Sequence, residues 1–309
     1  MRRFVFISIP LLFLATTNLF AAKPYRTYLP DTNHVPKDTT ATDSTDDDKN
    51  RDFAFGVEYA SDQAQHGLHN DIKIPYLEPS FTYTAPKGFY IELSDQYVLP
   101  KKIAGFDAFC INPGWNIDLS DNTNLNFNYT RYFFNPNSSN LVRSTLGNSL
   151  ETYVSQWIGD HLKAKLTIDY DIYKQMGKRS NSPNDFIFTP DLVYKLKWKL
   201  GEKTALKIKP EANIDIGTRN FYTQYANAKY AADSAAKKGT QGEKKVASNS
   251  NSTFGTLDYN LILTIDLAVG KFDFEPAFNY TDPLYKPSNI PNSPIGYFSF
   301  SVVYTISTK

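Results

Sequence analysis

Between Phe186 and Leu200 the chain alternates with a period of two. Phe186, Phe188, Pro190, Leu192, Tyr194, Leu196, Trp198 and Leu200 are apolar, and Ile187, Thr189, Asp191, Val193, Lys195, Lys197 and Lys199 stand between them. Successive side chains of a strand point to opposite faces, so this segment has one greasy side and one mostly polar side. A helix would scatter both sets around its circumference. Such a strand must find backbone partners on both edges and something apolar to cover the greasy face.

The same alternation recurs along the chain. Phe53, Phe55, Val57 and Tyr59 form a first strand, Phe81 and Tyr83 mark a second, and Phe89, Ile91 and Leu93 a third. Phe106 to Leu119 is a fourth; Leu125, Phe127 and Tyr129 alternate with Asn124, Asn126 and Asn128 in a fifth; Leu150 to Ile158 is a sixth. In the seventh, Leu162, Ala164, Leu166, Ile168, Tyr170 and Ile172 face away from Lys163, Lys165, Asp169 and Asp171. After the Phe186 segment come Leu206, Ile208, Ala212, Ile214 and Ile216, then Leu257 to Leu267, then Phe272, Phe274, Phe278 and Tyr280. Phe298, Phe300, Val302, Tyr304 and Ile306 close the chain. A content of 22 Phe and 21 Tyr against 2 Met fits strands.

Connections are of two kinds. Pro86-Lys87-Gly88, Ser120 to Thr123, Gly159-Asp160-His161, Gly201-Glu202-Lys203 and Gly270-Lys271 read as tight turns. Between them lie long polar loops near 61–75, 97–104, 135–148, 174–184, 217–252 and 281–294. Short turns at one end and long loops at the other predict an all-β, antiparallel up-and-down transmembrane β-barrel of about 12 strands. The short turns are then periplasmic and the loops extracellular. A soluble barrel would turn the apolar face inward, but about eight strands already enclose a lumen that side chains just fill. A wider barrel suits lipid outside and solvated charge inside. Pro79, Pro113, Pro190, Pro210 and Pro276 fall inside strand patterns. Proline removes a ladder donor, so bulges near the outer rim are expected to accommodate them.

The N-terminus fits export. Met1-Arg2-Arg3, an apolar run from Phe4 to Phe20 and Ala21-Ala22 predict a signal peptide over 1–22. Residues 23–51, rich in Thr, Asp, Pro and Lys, read as a disordered tail ahead of the barrel at 52–309. Asp38-Thr39-Thr40, Asp43-Ser44-Thr45 and Asp233-Ser234-Ala235 match a short O-glycosylation triplet. The lone Cys110 excludes an intramolecular disulfide. With 33 basic and 32 acidic residues, no nucleic-acid partner is expected.

Over 52–309 the chain resembles bacterial outer-membrane β-barrel proteins. Phe55-Gly56-Val57-Glu58-Tyr59, Gln65-His66-Gly67 and Gly88-Phe89-Tyr90-Ile91 also resemble the opening of a porin-like family. The last strand, Gly296 to Tyr304, is similar to the C-terminal strand that the barrel-assembly machinery reads, although the final residue is Lys309 and not an aromatic. The resemblance implies outer-membrane lipid, that machinery and small hydrophilic solutes as partners.

The expected working parts are lumenal charges: Lys195, Lys197, Lys199, Lys207, Lys209, Asp258, Asp266, Asp273 and Glu275. Lys197, Lys199, Lys207 and Lys209 cluster near the short-turn end, with Asp266 at similar height on the strand predicted beside them. Charges facing each other across a lumen would set a transverse field; charges that pair off would fill it. His66 and His69 are expected in an exposed loop without a metal, and the loop at 217–252 is expected outside the barrel. No cofactor, metal or catalytic group is anticipated. His161 sits in a turn and is followed two places on by Lys163, unlike the His-x-Ser of barrel phospholipases. A passive channel is the leading expectation; a non-conducting structural, adhesive or assembly-partner barrel and a lipid hydrolase are the alternatives.

Overall fold

The structure, a computed structural model, describes residues 51–70, 73–99, 105–135, 138, 145–174, 184–226, 253–286 and 293–308. The signal peptide, nearly all of the tail and all three glycosylation triplets lie outside these residues. The described chain is a closed, 12-strand antiparallel barrel. In order, the strands are β1 Arg51–Ala60, β2 Tyr76–Thr84, β3 Phe89–Val98, β4 Gly105–Ser120, β5 Thr123–Phe134 and β6 Leu146–Ile158. There follow β7 Leu162–Tyr173, β8 Asp185–Tyr194 continued by Leu196–Gly201, β9 Thr204–Gly217, β10 Gly255–Val269, β11 Phe272–Pro283 and β12 Ile295–Thr308. Each strand pairs with its sequence neighbours, and β1 with β12 closes the ring, from Arg51 opposite Thr308 to Ala60 opposite Ser299.

Closure leaves no free edge, as a lipid surround requires. The outer face is greasy: Phe55, Trp115, Phe127, Leu192, Leu261 and Phe278 are each about half exposed. Their strand neighbours Asn126, Asp191, Asn260 and Asn279 are buried on the inner face. That division is the one the alternation predicts, and it runs around the whole ring.

The prolines are accommodated differently from expectation. Each keeps its pairing with one neighbouring strand: Pro79 opposite Val57, Pro113 opposite Ile91, Pro190 opposite Leu166, Pro210 opposite Leu263 and Pro276 opposite Phe300. On the other side the ladder skips and resumes in the same register. Leu77–Tyr97 is followed by Ser80–Ser94, Ile111–Arg131 by Gly114–Asn128 and Thr264–Ala277 by Leu267–Phe274. Pro190 and Pro210 both perforate the β8–β9 seam, where Phe188–Ile216 is followed by Asp191–Asn213, and Val193–Glu211 by Leu196–Ile208. No bulge is used at any of the five. A missing N–H costs a rung, whereas an extra residue would throw the remaining side chains onto the wrong face.

Candidate functional site

The long-loop end is not open. Ala64–Gln65 and Leu68–His69 form a small hairpin, turned by His66 and Gly67. Both turn residues have positive φ, 49° and 79°, as a two-residue hairpin turn of this hand requires. At Gly67 a Cβ would come within 2.8 Å of Pro283, so a larger residue there would push the hairpin away from β11. Ser61 N donates to Phe298 O, Gln96 Nε2 donates to Gln63 Oε1 at 3.4 Å, and His66 reaches β7 and β9. β7 stands opposite β1 in a ring of twelve, so the hairpin crosses the mouth from wall to wall.

His66, expected in an exposed loop, is instead buried. Its Nδ1 lies 3.0 Å from Asp215 Oδ2 and its Nε2 3.7 Å from Asp171 Oδ2. Burial works against the charged imidazole, but the hydrogen bond to Asp215 and the neighbouring Asp171 carboxylate override it and raise the His66 pKa well above the usual 6.5. Thr189 Oγ1 donates to Asp215 Oδ1 at 2.6 Å and fixes that carboxylate. At the hairpin's base, Asp62 Oδ1 accepts from Gln63 N and Ile74 N. Burial lifts the Asp62 pKa, and those two amides oppose the rise.

A second element seals the mouth beside it. After β9 a short helix starts at Asn220, where Asp185 of β8 receives its first amides: Asn220 N at 2.8 Å and Phe221 N at 2.7 Å. A carboxylate at a helix N-terminus satisfies orphan donors and the local dipole together. Phe221, Tyr222 and Tyr225 pack with Leu68, Tyr132, Leu146, Tyr173, Ile187 and Leu257 as an apolar cluster inside the barrel. Tyr222 Oη donates to His66 O, joining helix to hairpin. The described start of the 217–252 loop is therefore inside the mouth, contrary to expectation. The tyrosines were visible in the sequence; the capping acid thirty-odd residues upstream was not recognisable as their partner.

The short-turn half of the lumen is charged. Lys207 and Asp266 are directly opposed on β9 and β10, 3.3 Å apart, and Lys209 lies 3.4 Å from Asp266 and 3.2 Å from Glu275. These lysines and Asp266 therefore bond along one stretch of wall and do not face each other across the lumen, as a transverse field between them would need. Lys197 is opposite Lys207 in register and exposed, as is Lys199. Lys195 sits at the interruption of β8, its Nζ 4.1 Å from the Trp157 ring centroid, a cation–π distance. Asp258 is fully buried towards the mouth, and Asp273 lies beside the β10–β11 turn.

Among the lumenal acids that escaped the sequence reading are Glu58, Glu78 and Glu92, on β1, β2 and β3. Each has the inner phase of its strand, which was the signal available. Asparagines line the adjoining wall, where Asn126 Nδ2 donates to Asn116 Oδ1 and Asn128 Nδ2 to Glu151 Oε1. His161 is exposed in its turn and bonds Lys195 O through Nδ1. His69 Nε2 lies 3.4 Å from Ser293 Oγ at the rim, with its Nδ1 on Asn70 O. Among the described residues no group of acids, histidines and cysteines converges as a metal site.

No protein-family model and no curated protein sequence matches the chain. Among solved structures it is similar to the NanC porin, at 12% identity and a TM-score of 0.43, over 82% of this chain and 98% of that one. It is also similar to an outer-membrane channel from Pseudomonas putida F1, at 9% identity and a TM-score of 0.44, over 87% and 100%. LpxR from Salmonella typhimurium gives 8% identity and a TM-score of 0.44, over 81% and 99%. These likenesses are of barrel architecture only. By its own ring of strands, greasy outside and polar inside, the chain is a closed twelve-stranded β-barrel of the outer-membrane type.

Proposed function

We propose that the chain is a bacterial outer-membrane channel for small hydrophilic solutes, closed at rest by the hairpin and helix in its extracellular mouth. The observation that carries this reading is the lining. Lys197, Lys207, Lys209, Asp266 and Glu275 occupy the periplasmic half, and taking even paired charges out of water into a dry core costs several kcal/mol for each ion. Exposed Lys197 and Lys199 have a place only in water. No chemistry is asked of the barrel. It excludes lipid, and its wall charges bias which ions enter.

The test is single-channel recording in planar bilayers, with heat-shifted gel mobility as the check of folding. Wild type is expected to show brief openings. A variant with residues 62–72 replaced by a short Gly-Ser linker is expected to stay open, and adding Lys197→Glu and Lys207→Glu should shift its selectivity towards cations. A folded, trimmed barrel that stays silent would overturn the reading. The apolar cluster in the mouth favours a second one, a non-conducting barrel that works through its loops, and that silence is what it expects. A third, lipid hydrolysis, has the exposed Ser293–His69 pair in its favour. Activity lost in Ser293→Ala would establish it.

A further inference from the structure

One cation of this barrel faces lipid. Along β5 the outward phase runs Leu125, Phe127, Tyr129, Arg131 and Phe133, and among the described residues of β4–β8 Arg131 is the one charged side chain in that phase. It is exposed, and its guanidinium lies over the Phe133 ring, 5.4 Å from the centroid. Arg131 is directly opposite Asn148 of β6, and Asn148 Oδ1 accepts from both Arg131 Nη1 and Tyr129 Oη, each at 2.6 Å. Both lone pairs of that oxygen are then used, and the Asn148 NH2 group remains to donate elsewhere. A second cation comes from the next strand. Lys174, the residue after β7, reaches back over the end of β6 at the Gly147 bulge, where a glycine Cβ would lie 3.3 Å from its Cγ. Its Nζ stands 5.0 Å from the Phe134 ring centroid on β5. Burial and the nearby Arg131 charge hold the Lys174 pKa below the usual 10.5.

We propose that this patch binds the phosphate monoester of a lipid in the outer leaflet, with the acyl chains lying against the barrel wall beneath it. The cluster presents a guanidinium fork, an ammonium and an amide NH2, and a phosphate accepts from all three, from the fork in bidentate fashion. Below it on the same face, Phe127, Leu150 and Val154 are exposed and greasy. A free anion would meet only the charged part of this surface, so the wall below selects an amphiphile. Height agrees with that choice. An outward Arg is costly at the middle of a bilayer and tolerated near its interface, and Arg131 stands among the aromatics at the long-loop end, where headgroups begin. The outward acid Asp95 is opposite Phe109, itself opposite Phe133, which puts it a row higher and about 10 Å off across the sheet. The inference goes beyond the channel reading and shares with it only the orientation that puts the long loops outside.

The experiment is thermal unfolding of the barrel in dodecyl maltoside, followed by tryptophan fluorescence, as lipid A is titrated in. Lipid A is a glycolipid whose headgroup carries phosphate monoesters. Wild type is expected to be stabilised, as by any ligand that binds only the folded state. Arg131→Gln should raise the concentration for half-maximal stabilisation about tenfold, and Lys174→Gln about threefold. Arg131→Lys keeps the charge and loses the fork, so it should fall between wild type and Arg131→Gln. Lys271→Gln, which removes a charge from a tight turn at the other rim, should bind as wild type does. Gel mobility before and after heating shows that each variant is a folded barrel, and Lys174→Gln gives an independent arm if Arg131→Gln is not. Equal affinity of wild type and Arg131→Gln, equal affinity for lipid A stripped of its phosphates, or displacement by inorganic phosphate at the same concentration would each overturn the proposal. Binding by a barrel that never conducts would refute the channel and leave the site standing.

Discussion

The two halves of this lumen solve opposite problems with the same alphabet of side chains. In the mouth, acids face the plug: Asp171 and Asp215 hold His66, and Asp185 holds the helix start, around a packed set of aromatics. In the periplasmic half, acids face lysines of the neighbouring strand, and the inward aromatics serve polar groups: Trp157 lies under Lys195, and Tyr90 Oη accepts from Asn126 Nδ2. The difference teaches that the contacts filling the mouth and the charges of the lower wall are physically separate here. One can be weakened without touching the charges of the other.

Breaking the mouth should therefore change how often the barrel opens and leave its selectivity as it was. The largest effect is expected from Tyr225→Ala, because Tyr225 is 1% exposed and central to the apolar cluster. Losing that ring costs about 3 kcal/mol, roughly a hundredfold in the open-to-closed ratio, read from single-channel dwell times. Asp185→Ala comes next. It strands two helix amides and the Thr218 hydroxyl, at a cost of about 2 kcal/mol, and protease access to the segment after Asn220 should rise in step.

Titration sharpens the comparison further. His66 is bound in its charged form, and its pKa in the closed state lies above that of free imidazole. The latch is then fully present below about pH 6.5 and is lost as the pH climbs through the raised value. Openings should become more frequent on the alkaline side, and His66→Gln should flatten that dependence while leaving ion selectivity unchanged. The smallest effect is on the wall itself. Pro210→Ala restores a donor to the β8–β9 seam and should raise stability by about 1 kcal/mol in urea unfolding, with conduction unaltered.

The barrel was legible in the sequence because period-2 patterning is local: Phe186 to Leu200 identifies its two faces with no knowledge of any neighbour. Strand order followed, since tight turns leave consecutive strands no other partners. The plug was not legible. His66 meets Asp215 across 149 residues, and nothing in the Gln-His-Gly turn states which wall it reaches. The polar loop composition argued for solvent, yet Leu68 and Tyr225 are enough to anchor two loops inside. The charges were half legible: the Asp266 strand reads as the neighbour of the Lys207 strand, and the β9–β10 ladder adds that the two residues are directly opposite.

The skipped rungs have a mechanical meaning. A barrel resists widening through its circumferential hydrogen bonds, which act in series like the links of a hoop, so the poorest link sets the strength of the whole. Between β8 and β9, Pro190 and Pro210 each remove a link, and Lys195 N turns away to bond His161 O on the β7 side. Under radial strain, from heat or from a pull on either terminus, this hoop parts first between β8 and β9, on the far side from the β1–β12 junction where the ring was joined.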